Sequence, residues 1–270
     1  MEAWLSTAAL ASVLVPLFVL AERVDPEVER PPSAPSARRT DLVYLGFFAL
    51  AYPLAGIGAW ELTQKVGVWG IFRDELSHQP YWAGAAAAFA VAELGSYWLH
   101  RVEHKVTRLW RLHAVHHSAT DVNWLTTFRF HPLDALMEKL GPVLVVAALG
   151  FPLSCLVPFL GAAAVVTLLA HCNVWVPGAW ISRVVVTPGY HRTHHEVDRD
   201  GANFALVLPM VDVLFGTASF AIGERHFGTR APMPASGFWA QLRWGLGFSS
   251  QRLAQRRSST PSENDATLAT

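Results

Sequence analysis

The sequence predicts an all-α integral membrane protein, a helical bundle of about four spans. Hydrophobic residues make up 52% of its 270 residues and charged residues only 16%, a balance that argues against a soluble protein. Four apolar segments are long enough to enter or cross a bilayer. Several of the eleven tryptophans stand near the ends of these segments, where aromatic rings anchor helices at the lipid–water interface.

Each apolar segment predicts one membrane element. The four segments are residues 5–21, 42–60, 80–99 and 140–170. The first three have the length of single spans, and Glu2 replaces the basic residues of a signal peptide, so the first is predicted to be a retained anchor. The fourth is interrupted by Gly150, Pro152 and Pro158, and it is predicted to be a helical hairpin, spanning or re-entrant.

The remaining sequence divides around these segments. We expect a transmembrane anchor at 1–21, a cytosolic Pro/Ser-rich linker at 22–41, one integrated membrane-embedded domain at 42–248 and a disordered tail at 249–270. The linker contains the run Pro31-Pro-Ser-Ala-Pro-Ser-Ala-Arg38, which predicts irregular structure.

The distribution of basic residues predicts the orientation. None of the 21 lysines and arginines precedes the first span, four lie in the linker, and fifteen lie from Arg101 onward. The positive-inside rule therefore places the N-terminus outside and both the linker and the region after residue 100 in the cytoplasm. The formal net charge is zero, so no overall basic surface suggests a nucleic-acid partner.

Three short clusters hold eight of the twelve histidines. They are His100-x-x-x-His104, His113-x-x-His116-His117 and His191-x-x-His194-His195. Residues spaced i, i+3 and i+4 share one face of a helix, so each cluster would direct its imidazoles to a common point. Imidazole suits iron, zinc, copper and nickel, and eight ligands are too many for one ion but suit two. The clusters therefore predict a histidine-lined di-metal site in a cytosolic helical cap.

Helix signals surround the clusters, whereas zinc signatures are missing. Thr187 followed by Pro188 predicts the start of a helix that carries the third cluster, and His100 and His104 continue the third predicted span. Neither HExxH nor a zinc-finger spacing occurs, so a zinc protease would lack its general base.

Other residues are candidates for completing the site. His171 ends the apolar hairpin and is predicted to be a ninth ligand, because histidine at membrane depth is a functional signal. His131, which precedes a proline, is either a further ligand or a turn residue. Metal-bound histidines usually donate their second N–H to a carboxylate or carbonyl. The polar candidates are Glu93, Glu103, Asp121, Asp134, Glu196 and Asp198, with Asn123 and Asn203; Glu93, inside a span, is the strongest.

These motifs resemble the fatty acid hydroxylase/sterol desaturase superfamily of integral membrane di-iron oxygenases. The matching stretches are Tyr97-Trp-Leu-His100-Arg-Val-Glu-His104, Trp110-Arg-Leu-His113-Ala-Val-His116-His117-Ser118, Arg129-Phe-His131-Pro132, His171-Cys-Asn173, His191-Arg-Thr-His194-His195 and Asn203-Phe, with Asp212-Val-Leu-Phe215-Gly216-Thr217. Two departures stand out: Glu93 replaces an aspartate, and Trp175 stands where some relatives have a further histidine, which leaves that ligand absent or supplied by His131.

The resemblance implies the chemistry. It implies that residues 42–248 form a catalytic domain that binds two iron ions, uses O₂ and hydroxylates or desaturates a lipid. Electrons would come from a separate protein such as ferredoxin or cytochrome b5 with NAD(P)H. Sterols, carotenoids, fatty acyl chains, sphingoid bases and ether lipids remain possible substrates. The alternative is a membrane metal-binding or transport protein without oxygenase turnover.

Overall fold

The computed structural model describes residues 16–17, 19–24, 26–27, 34–177, 179–199, 201–221, 226–231, 233–234 and 236–248. Regular structure in these ranges is helical. Residues 16–17 and 19–24 are α-helical, and from residue 34 onward the described ranges contain the α-helices α1 Pro35–Val68, α2 Arg73–Ser77, α3 Tyr81–Lys105, α4 Thr107–His117, α5 Pro132–Leu149, α6 Val157–Ala170, α7 Pro188–His194, α8 Met210–Leu214 and α9 Phe238–Gly245. Three short 3₁₀ helices join them, at Trp124–Phe128, Leu153–Leu156 and Ile181–Arg183. Within the described ranges, β pairing is limited to two isolated bridges, so the predicted all-α class is confirmed.

Two of the helical stretches are long and apolar enough to cross a membrane. They are Pro35–Val68 and Leu153–Ala170. The predicted span at 42–60 lies within the first, whereas most of the predicted anchor at 1–21 lies outside the described residues. The predicted span at 80–99 does form part of α3, but α3 is not among the helices that are long and apolar enough to cross a membrane.

Helix α3 is instead the central packing element of the bundle. Its buried face consists largely of small residues, among them Ala85, Ala88 and Ala92, which let α5 and α6 approach closely. The same helix carries the buried carboxylates of Glu93 and Glu103, which make it less apolar than the two membrane-length stretches. Because carboxylates are costly in hydrocarbon, they face the interior of the bundle. The helix continues through His100 and His104 as predicted.

Helix α1 begins earlier than the sequence predicts. It starts at Pro35, which occupies the first turn, so residues 35–41 are helical where an irregular linker is expected. Asp41 is buried and its Oδ1 accepts a hydrogen bond of 2.6 Å from Nε of Arg129. This tertiary ion pair fixes the start of α1 against the region that follows α4.

The predicted hairpin turns at Gly150. Residue 150 ends α5 with φ of 98°, a conformation that glycine adopts without strain, and its backbone closely approaches Gly70 and Arg73. Pro152 immediately precedes the 3₁₀ helix Leu153–Leu156, so it lies in the predicted interruption between the two helices of the hairpin. Pro158 does not interrupt a helix but lies in the first turn of α6. The break is therefore confirmed at 150–152, and both arms pack against α3.

Candidate metal centre

Nine histidines converge into two neighbouring groups at the ends of α3, α4, α6 and α7. The five-histidine group is His100, His104, His113, His117 and His194, and the four-histidine group is His116, His171, His191 and His195. In each group the potential ligand atoms all lie within 4.8 Å of one another. These are the eight clustered histidines together with His171, so the structure brings together every residue of the predicted core set.

The helical spacing explains how each cluster is shared. In α4, His113 and His117 are one turn apart and enter the five-histidine group, while His116 enters the other. In α7 the order is reversed, because His194 joins the five-histidine group. The predicted Thr187 cap is also confirmed: its side chain accepts a hydrogen bond from the backbone N–H of Tyr190 at the start of α7.

The five-histidine group presents bare nitrogen atoms to its centre. All five Nε2 atoms are buried and without a hydrogen-bond partner. The Nδ1 atoms of His100 and His194 donate to the carbonyl oxygens of Phe204 and Ala202, at 3.0 and 2.6 Å. Because a carbonyl only accepts, Nδ1 carries the proton and Nε2 keeps its lone pair. Such a convergence of buried lone pairs fits a cation.

The four-histidine group also brings unprotonated Nε2 atoms together, and their separations are short. The Nδ1 atoms of His116 and His171 donate to the carbonyls of Arg129 and Thr167, at 3.1 and 3.0 Å. Their Nε2 lone pairs therefore face each other, and the two atoms are 3.0 Å apart. The Nε2 atoms of His171 and His191 are also separated by 3.0 Å. A metal ion between these atoms would relieve the repulsion.

Burial keeps these imidazoles in the ligand form. Loss of hydration lowers the pKa of His100 and His113 to about 4, and it lowers the pKa of the other rings in both groups. Neutral imidazole is the form that coordinates transition metals.

A cluster of carboxylates lies behind His113. Its Nδ1 is 3.2 Å from Oδ2 of Asp134 and 3.8 Å from carboxylate oxygens of Glu103 and Glu138. Burial raises the pKa of Glu103 and Asp134, and neighbouring carboxylates reinforce the rise for Glu103. Glu138 was not among the sequence candidates. Its spacing from Asp134, one turn along α5, could have identified it.

The other polar candidates bind elsewhere. The carboxylate of Glu93 accepts hydrogen bonds from the backbone N–H groups of Val207 and Leu208, at 3.0 and 2.9 Å, and not from a histidine. The side chain of Asn123 caps a 3₁₀ helix, and that of Asn203 bonds backbone carbonyls at Tyr190 and Ser219. Asp121 accepts from Asn123, Glu196 pairs with Arg199, and Asp198 pairs with Arg230. In the structure the side chains of Glu93, Asn123 and Asn203 therefore bond backbone groups rather than imidazoles.

His131 is a capping residue and belongs to neither group. Its Nδ1 accepts a hydrogen bond of 3.2 Å from the backbone N–H of Leu133, at the start of α5. Trp175, at the position of the further histidine, is 49% exposed. Neither residue supplies a tenth ligand, because the geometry before Pro132 uses the imidazole of His131 as an N-cap.

Asp212, which opens the family-like stretch Asp212–Thr217 but was given no role from the sequence, is a buried support. Its carboxylate accepts hydrogen bonds from the backbone N–H groups of Phe204 and Ala205, both at 2.8 Å, and from the hydroxyl of Tyr190 at 2.9 Å. Phe204 in turn offers its carbonyl to His100. Asp212 thus links Tyr190 of α7 to the segment around Phe204, whose carbonyl orients the ring of His100 on α3.

A cavity reaches the four-histidine group. His116, His171 and His191 line it, and His100 is the one member of the other group in its wall. The rest of the wall combines apolar residues with polar ones on α5 and α6; it consists of Phe130, Ala170, Ala205 and Leu206 together with Glu138, Lys139 and Thr167. A small apolar group could therefore approach the four-histidine group, whereas the five-histidine group is more enclosed.

A comparison with protein families agrees with this geometry. The family model described as "Fatty acid hydroxylase" matches residues 85–217. Residues 85–217 form a fatty acid hydroxylase domain. The matched range contains all nine histidines of the two groups, and the predicted resemblance is confirmed.

Curated relatives belong to the same superfamily. The domain is similar to ornithine lipid hydroxylase OlsE of Rhizobium tropici, at 34% identity over 56% of this chain and 47% of that protein. It is similar to human alkylglycerol monooxygenase at 30% identity, over 58% of this chain and 35% of that protein. A tobacco Delta(7)-sterol-C5(6)-desaturase is 29% identical over 52% of this chain and 51% of that protein. The chain thus spans about half or less of the length of these relatives. No solved structure matches.

Proposed function

We propose that the chain is a membrane-bound di-iron, O₂-dependent oxidoreductase that hydroxylates or desaturates a C–H bond of a lipid. The observation that carries this proposal is the convergence of nine buried histidines into two groups inside a fatty acid hydroxylase domain. The relatives are named as lipid hydroxylases, monooxygenases and sterol desaturases, which supports a lipid as substrate.

Each histidine group would hold one iron ion. Two iron ions, when bound, supply the reduction of O₂ and the oxidation of a C–H bond, chemistry that amino-acid side chains lack. Five imidazoles exceed the four ligands of an ordinary zinc site, which favours a metal of higher coordination number. The carbonyls of Phe204, Ala202, Arg129 and Thr167 fix the rings, because each accepts the Nδ1 proton of one ligand.

The cavity would admit the lipid to the four-histidine group. Phe130, Ala170 and Leu206 give one part of its wall an apolar character that suits a hydrocarbon chain, whereas Glu138 and Lys139 could bind a polar part of the substrate. A substrate group here would lie beside His116, His171 and His191. The reacting carbon would therefore be positioned by shape and apolar contact.

The predicted topology remains part of the proposal. The N-terminus would lie outside, the metal centre would face the cytoplasm, and the lipid would enter laterally from the bilayer. Electrons would come from a separate protein such as ferredoxin or cytochrome b5. A metal transporter would need ligands along a transmembrane path, whereas none of the nine histidines lies within α1 or Leu153–Ala170.

Lipid mass spectrometry and oxygen uptake test the proposal. Cells with and without the gene should differ by a lipid that has gained one oxygen atom or lost two hydrogen atoms. Iron-loaded protein should consume O₂ with NADPH, ferredoxin and its reductase only when the lipid extract is added. An iron-loaded preparation without lipid-dependent O₂ uptake, combined with an unchanged lipid profile, would contradict the function.

A further inference from the structure

The surface outside the five-histidine group is basic. Lys105, the last residue of α3, and Arg108, in the first turn of α4, are exposed at the junction of the two helices. Among the described residues, neither has an acidic partner within 4.0 Å. The acidic residue of the same stretch, Glu103, is fully buried and faces His113. Within the described part of the chain, the junction therefore presents two positive charges to solvent.

Trp110 connects this surface with the metal ligands. Its ring is half-buried, and its centroid lies 4.9 Å from that of His104 and 5.4 Å from that of His117. Both imidazoles belong to the five-histidine group. The indole is thus a conjugated ring in contact with two ligands on one side and close to Lys105 and Arg108 in the chain. Electron transfer weakens steeply with distance, so this contact offers a short path into the otherwise enclosed group.

We propose that Lys105 and Arg108 form the docking surface of a small acidic one-electron carrier protein, and that Trp110 conducts the electrons from this surface to the five-histidine group. The inference rests on the proposed function. Hydroxylation of a substrate RH by O₂ requires two electrons and two protons and gives ROH and water. The reduced carrier would supply the electrons singly and leave oxidised by one electron after each encounter.

The chemistry of the surface favours a protein carrier over a lipid headgroup. Basic residues near a membrane also attract anionic lipids, but a headgroup would gain nothing from a tryptophan in contact with two metal ligands. Opposite charge steers partners together and raises the association rate, and electron-transfer encounters need only small interfaces. A basic junction around one aromatic contact fits such a transient complex.

Charge reversal tests the docking surface. Lys105→Glu/Arg108→Glu is compared with Lys65→Glu/Arg73→Glu, which makes the same change in net charge at exposed positions of α1 and α2. Iron-loaded proteins in phosphatidylcholine nanodiscs are titrated with soluble [2Fe–2S] ferredoxin and with soluble cytochrome b5, both acidic. The Kd for at least one carrier should rise about 10-fold or more in the first variant and lose most of its salt dependence, but should change less than about 2-fold in the control.

Substitution of the tryptophan tests the electron path separately. Trp110→Leu should leave carrier binding unchanged but slow reduction of the iron by saturating carrier about 10-fold or more, while Trp110→Phe retains an aromatic contact and should slow it less. Reduction by dithionite and iron content should be the same in all three proteins. These two controls separate a lost path from a damaged metal site.

The outcomes separate the two proposals. If wild-type protein reduced by dithionite oxidises no lipid, the proposed function fails, and carrier binding still tests the surface. If the Lys105→Glu/Arg108→Glu protein binds both carriers as tightly as wild type, the docking surface is wrong although the enzyme can stand. Loss of binding to phosphatidylserine vesicles alone would also overturn it, because the surface would then bind lipid.

Discussion

The two histidine groups differ in ligand number and in access. The five-histidine group holds its Nε2 atoms without hydrogen-bond partners in an enclosed space, with carboxylates behind His113. The four-histidine group has one ligand fewer and lines the cavity through His116, His171 and His191. If each group holds one metal ion, we expect the ion in the five-histidine group to have more protein ligands and the ion in the four-histidine group to keep more positions open to small molecules.

The same motif produces both groups. Each HxxHH sends the histidines at i and i+4 to one group and the histidine at i+3 to the other, and α4 and α7 do so in opposite senses. His116 and His194 are thus the residues that join a different group from the other two histidines of their motif. Because of this exchange, a shift of either helix would disturb both groups.

Removal of one ligand from either group should have the largest effect on activity and should show most clearly whether the two groups differ. His171→Ala leaves three histidines in its group, whereas His194→Ala leaves four in the other. We expect both to lower lipid oxidation by more than about 100-fold, beyond the usual effect of outer-shell changes.

Metal analysis distinguishes the two variants. His171→Ala should retain close to one iron per chain, and His194→Ala should retain more, because four imidazoles still form a usable site. The iron content is measured by mass spectrometry of the intact chains. Equal loss of metal from both proteins would contradict the proposed difference between the two groups.

A change behind His113 should weaken the five-histidine group selectively. Asp134→Asn keeps the size of the side chain but replaces by an amide the carboxyl group whose Oδ2 is 3.2 Å from Nδ1 of His113. We expect metal affinity to fall about 10- to 100-fold. Chelator competition measures the affinity. Asp198→Asn, at an exposed ion pair, is the matched control and should behave as wild type.

Filling the cavity should affect only access to the four-histidine group. Leu206→Trp places a larger ring in the wall and should lower kcat/KM for the lipid about 10-fold, with iron content unchanged. Leu160→Trp, on an exposed part of α6, is the control. Undiminished turnover by the Leu206 variant would show that the lipid uses another route.

The buried pair between Asp41 and Arg129 should act on stability. Asp41→Asn leaves a buried guanidinium without its carboxylate, and the loss should be about 3–5 kcal/mol in unfolding free energy. The backbone carbonyl of Arg129 also holds His116, so metal should be lost first from the four-histidine group on heating. Thermal unfolding of the apo and iron-loaded proteins measures both effects.

The sequence predicted the ligands better than their supports. Helical spacing is local, so the clusters and the Thr187 cap could be recognised without a fold. The division of each cluster between two groups depends on how α4 and α7 pack, which no local pattern contains. Glu93 was expected beside a histidine, but α3 directs its carboxylate to backbone N–H groups at Val207 and Leu208.

Long-range partners explain the other differences. The helical start at Pro35 accompanies an ion pair between residues 88 positions apart, and Asp212 supports His100 only through the backbone of Phe204. His131 has the right residue type for a ligand, but the following proline makes it a helix cap. Residue type and spacing alone do not separate these roles.

Anomalous X-ray diffraction at the iron absorption edge tests the central claim most directly. Crystals of the iron-loaded protein should show two iron peaks, one surrounded by the five Nε2 atoms of the first group and one by His116, His171, His191 and His195 beside the cavity. A single iron peak, or two peaks that share the nine histidines in another way, would contradict the account of two unequal sites.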